Sequence, residues 1–355
     1  WIVSGSIIVL LYALIQFLVA GAEIRRVPAY TSLFLLGLLA IAAVSGLLLK
    51  DRAFCRGFCP VGLLLSAYGR GGMLAVRSGS GDVCHSCTGK GCIRACNRTK
   101  ADGRSCPSLL NPPKLNSNKD CLVCGQCIKV CEPDNMGLLL RRPFPASDTR
   151  DESASWPMTL FIMLVSGFVI WELTSEWAAA EHVFLAVPRW ASAHLPLPWL
   201  SGCVNGLWAM IVVPLGVWSL LGQVARRLGD RDQLGTFWRR IALPMAVVVA
   251  AGHMSKGLAK FVSWAGFLPY AIGEPSGTQT AMAISSHATL PPDALLPKTM
   301  VAMVAAVLIL GAAFFGLREA RLAGPRSSPP STRPVIWMMV LLFLILVAGW
   351  INPPG

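Results

Sequence analysis

Seven stretches of this chain are apolar for long enough to cross a bilayer as a helix: Trp1–Ala20, Thr31–Leu49, Pro157–Leu173, Leu200–Gly222, Ile241–Trp264, Thr299–Leu317 and Val335–Ile351. A helical span takes about 20 apolar residues. No soluble fold needs so many such runs separated by charged loops. Only 14% of the 355 residues are charged, against roughly 25% in an ordinary soluble domain. The sequence therefore predicts a polytopic α-helical membrane protein with seven spanning helices. Its apolar content excludes disorder, and the lack of a glycine repeat excludes collagen. The chain opens on Trp1, so a start further upstream is expected.

The formal charge is +13, from 31 basic and 18 acidic residues, and its placement decides what it means. Alternating the spans puts Lys50–Trp156, Gln223–Arg240 and Arg318–Pro334 on one side, with 25 of the 31 basic residues. The other side keeps Arg25, Arg26, Arg189 and Lys298, while Lys256 and Lys260 lie within the fifth span. Lysine and arginine concentrate in cytoplasmic loops, so the first side is expected to be cytoplasmic. The positive excess is then a topology signal, and nucleic acid is not an expected partner. Three regions follow: two helices in 1–49, a cytoplasmic insert in 50–156 and five helices with short loops in 157–355.

Twelve cysteines are present, eleven of them between Cys55 and Cys131. The insert is rich in Gly, Pro, Asn and Cys, and too poor in periodic apolar runs to build an ordinary core, so it needs a metal to hold it together. Cys121-Leu-Val-Cys124-Gly-Gln-Cys127-Ile-Lys-Val-Cys131-Glu-Pro has the C-x2-C-x2-C-x3-C spacing that wraps a [4Fe–4S] cluster, three thiolates on one and the fourth on its neighbour. Zinc ribbons instead separate two C-x2-C pairs. A second set lies upstream as Cys84-His-Ser-Cys87-Thr-Gly-Lys-Gly-Cys92-Ile-Arg-Ala-Cys96, followed by Cys106-Pro107. Crossed ligation assigns Cys84, Cys87, Cys92 and Cys131 to one cluster. Cys121, Cys124 and Cys127 hold the other with either Cys96, which has the x3 spacing, or Cys106, which has the following proline. We take Cys106 and expect Cys96 to be a free buried thiol. Cys203, alone in an apolar run, is expected in the core.

Cys55-Arg-Gly-Phe-Cys59-Pro60 follows the second span. Residues i and i+4 share a helix face, so both thiols are expected to point to one centre, with a redox or metal role; the alternative is a packed helix end broken by Pro60. A helix ending in this motif, then a two-cluster insert and further membrane helices, resembles the NapH/NosR/CcoG-type membrane polyferredoxins over roughly Thr31 to Pro143. The resemblance implies an iron–sulfur electron carrier in the cytoplasmic membrane of a prokaryote, linking the quinone pool to a protein redox partner in a larger complex. The sequence departs from the NosR-like members in having one C-x3-C-P, and from the CcoG-like ones in lacking an immunoglobulin-like domain. The helices from Leu200 onward lie outside the resemblance. Two other functions stay open: a copper-handling assembly factor using Cys55 and Cys59, and a relay subunit of an ion-coupled redox complex.

Ionisable residues in a span are costly and point to function. His253, Lys256 and Lys260 share one helix face, and His253 lies roughly 20 Å beyond Arg240 at about 1.5 Å per residue. Lys260 is expected to snorkel to the outer surface. His253 and Lys256 are candidate ligands for a quinone carbonyl, the alternative being a polar pair satisfied by neighbouring helices. A bis-histidine haem would need a second histidine within a span. Glu172, Glu176, Glu181 and His182 read as solvated loop charges, and Ser276–Thr280 as a polar loop turn.

Overall fold

The apolar runs fold as helices in the computed structural model, which describes residues 2–21, 24, 27–49, 53–100, 102–145, 154–194, 199–322 and 331–351. Two helices lead, α1 (Ile2–Gly21) and α2 (Pro28–Leu48). The insert carries α3 (Ala53–Gly57), α4 (Pro60–Tyr68), strand β1 (Leu74–Ser78), α5 (Gly81–Ser86), α6 (Gln126–Lys129) and strand β2 (Met136–Leu140). The chain then re-enters the bundle as α7 (Trp156–Thr174). Two short helices, α8 (Ala178–Phe184) and α9 (Ala186–Ala193), precede α10 (Trp199–Leu207) and α11 (Val213–Arg227). The long α12 (Leu234–Trp264), the short α13 (Leu268–Gly273) and α14 (Thr278–Ser285), and finally α15 (Lys298–Leu322) and α16 (Thr332–Ala348) complete it.

Among the described residues, five helical segments are long and apolar enough to cross a membrane: Pro28–Leu48, Trp156–Thr174, Ser201–Arg227, Leu234–Gly273 and Lys298–Arg321. The first and last runs of the sequence correspond to shorter apolar helices, Gly5–Gly21 and Thr332–Ala348. The fourth run is interrupted by a π-helical stretch, Trp208–Val212, just before Pro214. Proline has no N–H to donate into the preceding turn, and a π-turn absorbs the missing bond.

The core lies where α12 packs against α7, α15 and α16. α7 is buried on nearly every side, with Phe161, Val169 and Leu173 sealed, as suits a helix apolar all round. Lipid tails are as apolar as leucine, so close packing rather than water exclusion holds such helices together. A Cβ at Gly252 would meet the Phe343 ring at 2.7 Å and Val169 at 2.8 Å, and glycine is what lets α12 approach both.

The insert has one piece of sheet: β1 and β2 pair antiparallel, Leu74 opposite Leu140 and Ser78 opposite Met136. These strands were not foreseen from composition. They join the two halves of the insert, so that Val76 and Met136 pack with Cys92 and Cys127 in a small apolar cluster. The insert is tied to the bundle by an ion pair between Arg70 and Glu319 of α15, 3% and 0% exposed. The Phe144 ring lies 5.7 Å from Phe315 on the same helix.

On the loop between α13 and α14, the Glu274 carboxylate accepts from the Gln279 and Thr280 N–H groups and from the Ser276 and Thr280 hydroxyls. The N-cap of α14 is Gly277, which has no side chain to cap with, and Glu274 takes that role. The hydroxyls of Ser276–Thr280 are thus consumed by a helix cap, in keeping with a polar turn. The two backbone donors are the main cause that holds Glu274 down at about 2. A depressed carboxylate stabilises the fold fully above its unfolded pKa, about 4.3, and that contribution is lost as pH falls through the folded value. Hydrogen exchange at Gln279 and Thr280, corrected for intrinsic rates, should lose protection between about pH 4 and about pH 2. Glu274→Gln should abolish that pH dependence.

Candidate functional site

The C-x2-C-x2-C loop is shaped by its backbone. Val123 and Gly125 both adopt the left-handed region, φ 53° and 73°. That conformation is cheap for glycine but costs a β-branched valine. It turns the chain twice within five residues and starts α6, which carries Cys127. Cys121, Cys124 and Cys127 line one small recess together with Cys106 and apolar residues including Val76, Leu110 and Leu122. Burial is the main cause that pushes the Cys127 thiol up to about 11, and Cys106, Cys121 and Cys124 add to it. Cys121 is pushed up in the same way, by burial first and by Cys106 and Cys124 after it.

A second set lies beside the first. Cys92 is buried, and burial raises its thiol pKa, with further increments from Cys131, Cys84 and Cys87. Asn135 links this set across the chain: its N–H donates to Cys131 Sγ at 3.2 Å and its Nδ2 to Cys84 Sγ at 3.1 Å. The Lys90 N–H donates to Cys87 Sγ at 3.4 Å. The two sets touch, since the Cys106 N–H donates to the Cys92 carbonyl at 2.9 Å. Asn135 has no sequence signature of its own; it acts only because β2 begins beside it.

Cys106 stands with Cys121, Cys124 and Cys127, whereas Cys96 is exposed rather than buried as expected, and its thiol donates to Asn97 Oδ1 at 3.8 Å. Among the described residues no three His, Cys, Asp or Glu side chains close on a single metal ion.

The expected single-helix geometry of Cys55 and Cys59 is not found. α3 ends at Gly57 and Cys59 is the extended N-cap of α4, φ −77° and ψ 121°. Pro60 opens α4, and the Cys59 N–H is satisfied by the Phe54 carbonyl at 2.9 Å. The i, i+4 argument fails because the helix stops between the two cysteines. Cys203 is half-buried on α10 rather than in the core.

The polar groups of α12 also differ from expectation. Lys256 Nζ lies 2.5 Å from Glu176 Oε1, 3.7 Å from Glu172 Oε2 and 3.1 Å from Ser175 Oγ. Lys260 Nζ lies 2.6 Å from Glu172 Oε2 instead of extending freely to the surface. Glu172 is buried in α7 and is a counter-charge of the bundle rather than a solvated loop group, whereas Glu176 lies on the turn after α7, partly exposed, and reaches Lys256 from there. The desolvation cost of a buried charge selects for such pairing. One turn before Lys256, the His253 ring stands edge-on to Tyr68 of α4 and Phe168 of α7, centroids 6.3 and 5.9 Å away. The Tyr68 hydroxyl is buried there with no hydrogen-bond partner among the described residues.

These features agree with what comparison with known proteins finds. No family model matches the chain, and no solved structure matches it. Over 95 residues it is 28% identical to the ferredoxin-type protein NapH of Escherichia coli (strain K12), a stretch covering 25% of this chain and 30% of that protein. This partial likeness, the clustered cysteines and the apolar helices fit a membrane electron-transfer role of iron–sulfur, ferredoxin-like type.

Proposed function

We propose that the protein is an integral-membrane iron–sulfur electron carrier that relays electrons between the quinone pool and a protein redox partner. The observation that carries this reading is the sorting of eight insert thiols into two adjoining sets of four. All-thiolate donors suit iron–sulfur centres. Cys84, Cys87, Cys92 and Cys131 would hold one [4Fe–4S] cluster, and Cys106, Cys121, Cys124 and Cys127 the other. Such a cluster supplies reversible one-electron chemistry when bound. The chain's own contribution is to pack Val76 and Met136 against Cys92 and Cys127, and to donate to Cys84, Cys87 and Cys131 from Asn135 and Lys90, which tunes the potential. In this reading all seven apolar helices cross the membrane and the insert faces the cytoplasm.

The quinone contact is proposed at His253 and Lys256. The His253 ring stands edge-on to Tyr68, whose hydroxyl is buried with no hydrogen-bond partner among the described residues, and Lys256 lies one turn on, held by Glu172 and Glu176. An orphaned buried hydroxyl is costly, and a quinone head group would relieve it. Anaerobically purified protein should show cubane signals in electron paramagnetic resonance and about eight irons per chain by the two-cluster ligand count; zinc in place of iron would end the reading. His253→Ala should slow quinol-driven reduction of the clusters by about a hundredfold, the scale of a lost general base, with chemical reduction by dithionite unchanged. Equal quinol rates would remove His253 from the site.

A further inference from the structure

The β1–β2 ribbon exposes more apolar surface than a water-facing strand pair tolerates. Ala75, Val76 and Met136 are sealed, but Met73 is 57% exposed, Leu138 57% and Leu140 77%, with Leu74 half exposed. Met73, Leu74 and Leu140 lie at one end of the ribbon, where Leu74 pairs with Leu140, and Leu138 lies at its middle opposite Val76. The opposite end, Ser78 with Met136, adjoins Asn135 and the thiols.

Where the leucine end sits follows from its neighbours in the chain. Four residues before Leu74 is Arg70, paired with Glu319 of α15. Four residues after Leu140 is Phe144, against Phe315 of the same helix. The Arg141 guanidinium closes this corner, donating to the Gly72 and Arg70 carbonyls at 2.9 and 2.7 Å. Phe315 lies about 10 Å before the end of α15 at 1.5 Å per residue, so this corner is level with the last turns of a membrane-crossing helix. From Leu74 to Ser78 the strand spans about 13 Å, which separates the leucine end from the thiol end.

We propose that Met73, Leu74, Leu138 and Leu140 form an interfacial anchor, inserted at the headgroup–acyl boundary of the membrane that holds the bundle. Continuity with α15 puts the leucines at that depth, and the exposed Arg142 beside them matches anionic lipid phosphates. The anchor fixes the height and tilt of the two thiol sets above the bilayer, a role separate from the redox assignment.

The test uses the full chain in vesicles of phosphatidylethanolamine and phosphatidylglycerol. Benzoylphenylalanine replacing Leu74 or Leu140 should photocrosslink to lipid, detected by mass spectrometry. The same group at Ile93 or Leu122, exposed apolar positions in the cysteine-bearing segments, should give no lipid adduct above background. Hydroxyl-radical footprinting of the unmodified protein reads the same surface without substitution, with labelling of Met73, Leu138 and Leu140 lost relative to Ile93 and Leu122. Adducts to a second copy or to another protein, or labelling equal to the controls, would overturn the proposal.

Discussion

In the proposed two-cluster reading, Cys106→Ser should take bound iron from about eight to about four per chain by the ligand count, while Cys96→Ser leaves iron and spectrum unchanged. The contrast is sharp because the two thiols are only ten positions apart, and Cys96 was eligible by its spacing and Cys106 by its following proline. Cys106 lines the recess shared with Cys121, Cys124 and Cys127. Its N–H also ties it to the Cys92 carbonyl, so the two centres share a wall. Cys96 is exposed. Iron and acid-labile sulfide analysis, with electron paramagnetic resonance for the surviving centre, checks the outcome. Loss of iron in the Cys96 variant instead would mean that the recess is assembled differently.

The second large effect concerns the joint between insert and bundle. Arg70→Met should destabilise the protein by about 3–5 kcal/mol, the usual cost of removing one partner of a buried ion pair. Glu319 is 0% exposed and would be left as a buried charge without its guanidinium. The double variant Arg70→Met, Glu319→Leu should recover most of the loss, because two apolar groups of similar volume carry no desolvation cost. Unfolding in mixed micelles measures the stabilities, and limited proteolysis between Gly72 and Arg141 reports release of the insert. A double variant as unstable as the single one would show that the pair acts through something other than its charges.

Helix positions were legible because each apolar run is long and local: the expected Pro157–Leu173 is the helix Trp156–Thr174, and Thr299–Leu317 lies within Lys298–Leu322. The thiol motifs were legible for the same reason, since C-x2-C-x2-C brings its sulfurs together within one loop. What local spacing suggests, a break in the helix can undo: Cys55 and Cys59 parted because α3 stops at Gly57 and Pro60 begins another helix.

By itself the sequence determined that the chain is a bundle of apolar helices with a cysteine-rich insert, because hydrophobic run length and cysteine spacing act over fewer than about 25 residues and need no partner. Only the tertiary structure decided that Cys106 and not Cys96 stands with Cys121, Cys124 and Cys127, that Glu172 of α7 and Glu176 just beyond its end pair with Lys256 and Lys260, and that a ribbon of two distant strands braces the thiols. Each of those depends on groups tens to hundreds of positions apart, up to the 249 that separate Arg70 from Glu319. Such meetings are set by how whole elements pack, which no window of sequence encodes.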